Sequence, residues 1–231
     1  MSGCASYAVT SIPHQKLRDA LHRVDHSNIV ARRNSVVHHR VYYVPHPNYI
    51  WHFDSHHKLI MWRFVIHGAV DGFSCTIIYL KCADNNKSRT VLVYFREGAE
   101  RFGLHNSVRS DHGGVWRYTI VTHYNDFSCV LLGSSGHNER IDRLWHDVHR
   151  CIAVIYSEVF QSLEIDGKLD PLNEVDLYCL HYIFLPQINK SILEFQESWN
   201  NHSMSSEGSK TPHQLLYEGL SHMAHNCNYS V

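Results

Sequence analysis

Apolar and polar positions alternate clearly from Tyr49 onward. Tyr49–Ser55 (YIWHFDS) is an aromatic and β-branched stretch that predicts a strand. Arg63–Val70 and Cys75–Lys81 predict two more, with Asp71-Gly72 between them marking a hairpin turn. Asn85-Asn86 can cap a helix that runs to about Phe102, where Gly103 supplies a stop. Val108–Asp111 reads as a short strand ending at the glycine turn His112-Gly113-Gly114. After a loop at Gly133-Ser-Ser-Gly136, one helix places Ile141, Leu144, Trp145, Val148, Ile152, Ile155 and Val159 on a single apolar stripe. Asp170-Pro171 opens a further helix, expected to break near Leu185-Pro186. Beyond Asn200 the chain is polar except for Thr211-Pro212-His-Gln-Leu-Leu, a short capped helix. Ahead of the first strand, Ser11 can cap a helix with Pro13 in its first turn. Leu17, Ala20, Leu21 and Val24 form its apolar face.

Three successive strands, a helix, a strand and a long helix predict an α/β fold, a mixed sheet flanked by helices. The order suits a ribonuclease H-like architecture, as it suits other α/β domains. With 231 residues, of which 44% are hydrophobic and 19% charged, the chain can bury one full core. No apolar run is long enough for a membrane span and no secretory signal is visible, so an intracellular, non-membrane protein is expected. Seven scattered cysteines without a CxxC pair read as free thiols.

Charge and histidine refine this picture. The formal net charge is −1, yet residues 1–45 hold six Lys/Arg against two Asp. A basic arm before a mildly acidic domain suits a DNA contact beside a carboxylate-bearing core, and equally a solvated N-terminal helix. There are 21 histidines. His52, Asp54 and His56 would share one strand face, but no second His/Cys pair at helical or finger spacing completes a zinc cage.

Four segments in order carry the chemistry: Trp51-His-Phe-Asp54-Ser, Val70-Asp-Gly-Phe-Ser, Val108-Arg-Ser-Asp111-His-Gly-Gly and His137-Asn-Glu-Arg-Ile-Asp142-Arg-Leu-Trp. Together they resemble the successive motifs of the integrase core domains of retroelements and transposons, over roughly residues 46–220. Asn200, His202, Thr211, Pro212 and Leu215 extend the likeness, and residues 11–45 resemble a helix-turn-helix-like lead-in. The resemblance implies a ribonuclease H-like catalytic core at 46–220 with C-terminal helices, a small basic helical segment at 1–45 and a polar tail at 221–231. It implies that Asp54, Asp111 and Asp142 are catalytic and bind two Mg2+ or Mn2+ ions, and that Asn138 and Arg143 touch DNA phosphate. DNA as partner, a homo-oligomer and a nuclear location follow from the same resemblance.

Several departures bear on activity. The third acid is Asp142 where the family has Glu; the lost methylene retracts the carboxylate by about 1 Å, an error that can cost about a hundredfold in rate. Glu139, one turn earlier, is the alternative ligand. Asp111 and Asp142 lie 31 positions apart, a few fewer than is common in the family. Cys75 and His146 stand where the family has arginine, so the histidine excess reads in part as decay of arginine codons. An integrase or transposase core with impaired chemistry is therefore expected. The alternatives are a non-catalytic nucleic-acid-binding or protein-interaction protein, and a ribonuclease H-like nuclease using Asp71 as a further carboxylate. Gly133-Ser-Ser-Gly136 does not make a serine hydrolase motif.

Overall fold

The computed structural model describes residues 43–110, 129–132 and 139–227. The segment expected at 1–45 lies outside them except for its last three residues. The first three strands form as expected: β1 (Ile50–His56), β2 (Val65–Asp71) and β3 (Ile77–Ala83). β2 starts two residues later than its apolar run because Arg63, at φ 58, turns the chain in left-handed geometry. Helix α1 (Ser88–Phe102) follows, then the short strands β4 (Ser107–Ser110) and β5 (Cys129–Leu132). The sheet order is β3-β2-β1-β4-β5; β1, β2 and β3 are antiparallel neighbours, while β4 runs parallel to β1 and β5 to β4. This is the ribonuclease H-like arrangement, with helices on both faces. β5 was not anticipated; four residues are too few to show a period.

Alternation in the strands sorts side chains to two cores. Trp51, Phe53, Ala69, Val108, Leu92 and Phe95 pack between the sheet and α1. Ile66, Val70, Ile77, Leu80 and Cys82 face the other way, onto α2 (Glu139–Val148), α3 (Val154–Ile165) and α4 (Glu174–Asn201). Asn85, expected as the cap of α1, acts one step earlier: the N-cap is Lys87, whose N–H donates to Asn85 Oδ1.

The helices after Leu132 correct three expectations. The stripe from Ile141 to Val159 holds only as far as Ile152. Residues His149–Ala153 form a π-helical turn, which takes up an extra residue and rotates the inward face. Phe160 is consequently buried, while Ile155 and Val159 are exposed. Next, α4 begins at Glu174, capped by the Asn173 side chain, and runs unbroken through Pro186 to Asn201. Leu177 and Leu180 before the proline pack into the same core as Ile188 and Ile192 after it, which holds both halves in one helix. Lastly, α5 (Pro212–Cys227) is longer than expected and takes up most of the region read as a polar tail. Its entry is a capping box: Thr211 Oγ1 accepts from Gln214 N–H, and Gln214 Oε1 accepts from Thr211 N–H. Among the described residues no helix is long and apolar enough to cross a membrane.

Two devices fix how the helices sit on the sheet. On edge strand β3, amides of α4 take the place of a missing neighbour. Asn189 Oδ1 accepts from Cys82 N–H and its Nδ2 donates to Cys82 O; Asn200 Oδ1 accepts from Ile77 N–H. On the same face α2 crosses β2 at Gly68, where an added Cβ would lie 2.9 Å from Trp145 Cη2 and 3.0 Å from Leu80 Cδ1. Glycine thus leaves room for the benzo end of the indole against the sheet. Gly68→Ala should destabilise the domain by about 1–3 kcal/mol, the usual cost of overpacking. Urea unfolding checks this; an unchanged midpoint would contradict the packing described.

Candidate functional site

Asp54 lies near the C-terminal end of β1, half-buried, on the sheet face that α2 covers. Alternation puts His52, Asp54 and His56 on this face and Trp51 and Phe53 on the other. In the β1–β2 register Asp54 stands opposite Gly68. The bare glycine leaves room for Trp145, whose Nε1–H donates to Asp54 Oδ2 at 2.7 Å. Helix α2 is thereby bonded directly to the acid of β1.

Asp142 lies on α2, exposed, one turn before Trp145. The buried Ile141, Leu144 and Val148 anchor the inner face of the helix, which turns Asp142 and Arg143 toward solvent. Residues three apart on a helix are surface neighbours, with Cβ atoms roughly 5–6 Å apart. So Asp54 is hydrogen-bonded to a residue one turn along α2 from Asp142. The first turn of α2 is held separately: Arg140 Nη1 donates to Cys75 Sγ at 2.8 Å, and its Nη2 lies 3.9 Å from Glu207. Asp111 and Asn138 lie outside the described residues, as does the Gly133–Gly136 loop. Strand β4 ends at Ser110, immediately before Asp111.

Asp71 has a different role from the one weighed for it. It pairs with Trp51 rather than Asp54, on the opposite face of the sheet. It is fully buried, accepting at Oδ1 from Asn48 N–H and at Oδ2 from both the backbone N–H and the hydroxyl of Ser74. Burial pushes its carboxyl above the usual range while these donors pull it back. Asp71 is an anchor for the β2–β3 turn and not a fourth carboxylate of the Asp54 site.

Among the described residues several histidines are built into the fold. His67 Nδ1 meets Ser55 Oγ at 2.8 Å and its Nε2 meets Asn85 O; His181 Nε2 meets Trp62 O; the His105 ring stacks on Trp51 at 4.3 Å. His146 is exposed, with Nδ1 3.6 Å from Asp147. Among the described residues no group of three or more His, Cys, Asp and Glu gathers to hold a metal ion.

One histidine borders the site. His56 is buried, its ring 5.4 Å from Trp145 and 5.7 Å from His149. Desolvation, reinforced by His149, Lys58 and His57, pushes it down to about 4, and burial likewise pushes His105 down to about 4. Both are neutral in the folded protein, whereas the unfolded chain protonates them near the ordinary value of 6.5. Their contribution to stability is therefore complete above pH 6.5 and is lost as pH falls toward 4. Urea midpoints should drop between pH 7 and pH 5, and His56→Phe should reduce the drop; a midpoint independent of pH would contradict this.

The pattern of the integrase core domain family matches residues 41–229. No curated protein matches the chain. Among solved structures, the HTLV-2 integrase catalytic core domain in complex with magnesium is 17% identical, over 74% of this chain and 97% of that one, with a TM-score of 0.47. The catalytic core domain of BIV integrase is 15% identical, over 77% of this chain and 99% of its own, with a TM-score of 0.48. Since the family pattern covers most of its length, this chain belongs to the integrase core domain family.

Proposed function

We propose that the chain is a DDE-type polynucleotidyl transferase core that binds DNA and cuts and joins its phosphodiester bonds, with Asp54, Asp111 and Asp142 as its acids. The observation that carries the proposal is the hydrogen bond from Trp145 to Asp54, which ties the helix bearing Asp142 to the strand bearing Asp54. The register of the parallel strands supports the third member. His52 pairs with Arg109, and each is followed two residues later by an acid, Asp54 and Asp111.

These are hard oxygen donors, which fit magnesium or manganese better than zinc. When bound, two such ions supply activation of the attacking oxygen and stabilisation of the leaving oxygen. In this reading Asp54, Asp111 and Asp142 would hold the ions, Asp54 being shared between them. Arg143, exposed beside Asp142, and Asn138 hold the DNA backbone by its phosphate oxygens. A homo-oligomer belongs to the same reading by resemblance, and a nuclear location because the substrate is DNA.

Asp142 in place of Glu makes a slow enzyme the expectation and keeps a second reading in view, a non-catalytic nucleic-acid-binding or protein-interaction protein. End nicking and strand transfer with purified protein and Mg2+ or Mn2+ separate the two. Activity abolished by Asp54→Asn, and raised about tenfold or more by Asp142→Glu, is the outcome expected. Activity that survives Asp54→Asn overturns the assignment. A wild-type protein inert on its own DNA ends supports the non-catalytic reading.

A further inference from the structure

We propose that Trp145 is the positioning residue of the Asp54 carboxylate, setting its orientation for the cation and coupling it to the pose of Asp142. The inference rests on the reading of Asp54 as a metal ligand. Four observations meet at this indole. Its N–H lies 2.7 Å from Asp54 Oδ2. Its benzo edge occupies the space that Gly68, the partner of Asp54 in the strand register, leaves without a Cβ. The buried ring of His56 packs beside it at 5.4 Å. Trp145 itself is 8% exposed. With the ring held on these sides, the N–H points one way.

The type of donor matters as much as its place. An ionised carboxylate has about four lone-pair directions and can turn about its Cβ–Cγ bond. A fixed donor at Oδ2 restrains that rotation. An arginine or lysine in the same place would also orient the group, but its positive charge would compete with the metal. A histidine could take up a proton or bind the metal itself. Indole is a neutral donor that does neither. It therefore orients Asp54 without cancelling its charge. Because Trp145 lies one turn from Asp142 on α2, a shift of that helix moves one acid and releases the other.

Hydrogen-bond partners of ligating groups typically account for about 10–100-fold in metal affinity. The test compares the wild type with Trp145→Phe, which removes the donor together with the benzo ring that lies over Gly68. Mn2+ affinity is followed by electron paramagnetic resonance and stability by thermal melting. The expected result is Mn2+ binding weakened about tenfold or more in a protein that still melts cooperatively, at a temperature lowered by the lost packing. Equal affinity in both proteins overturns the inference and leaves Asp54 as a ligand. If the wild type binds Mn2+ no better than Asp54→Asn, the reading of the site falls and takes the inference with it. A second measurement needs no folded variant. The Trp145 indole N–H resonance should move on Mg2+ addition, while those of Trp51, Trp62 and Trp199 stay in place. A Trp145 resonance indifferent to Mg2+ that binds at Asp54 counts against positioning.

Discussion

The site depends on a single helix being held flat against the sheet. Helix α2 reaches β1 because β2 carries glycine at position 68 and the indole of Trp145 fills the gap. From there the indole N–H meets Asp54. A larger residue at Gly68 would lift the helix and draw the hydrogen bond apart, separating Asp54 from the turn that bears Asp142. The apolar packing of Ile141, Leu144 and Val148 supplies the adhesion, and the hydrogen bond supplies direction.

The other end of the sheet is managed in a complementary way. An edge strand exposes a row of backbone groups that would pair with another chain. Here α4 meets that row with the amides of Asn189 and Asn200, so the longest helix is fastened to β3 by hydrogen bonds as well as by its core face. Asp71 fastens the hairpin turn in between, with backbone and hydroxyl donors converging on one buried carboxylate. Two aspartates of β1 and β2 thus have opposite duties. One is closed off on the α1 side, and the other stands half-buried on the α2 side.

Much of this was legible in the sequence, for reasons of period and turn chemistry. β1, the hairpin and α1 show alternation or a helical stripe bounded by Asp-Gly, Asn-Asn and Gly. The context of Asp54, an acid late in an aromatic strand, was visible for the same reason. Other features were hidden. A π-helical turn at His149–Ala153 leaves no mark in the spacing of apolar residues, so Ile155 and Val159 looked inward-facing. Pro186 read as a break because propensity says nothing of the core that holds both halves of α4 together. Trp145 was legible only as an apolar stripe member. Its N–H acquires a role when the fold brings Asp54 and Gly68 to it from positions far away in the chain. Asp71 looked like a possible further acid until strand alternation placed it on the other face.

The central claim is that β1 and α2 join two acids at one cation site. Anomalous scattering from Mn2+ in crystals of the protein tests it directly. The account predicts a manganese peak at roughly 2 Å from an Asp54 carboxylate oxygen, with Asp142 in the same coordination shell, directly or through water. Manganese bound elsewhere, or a peak at Asp54 with Asp142 turned away from it, would contradict the account.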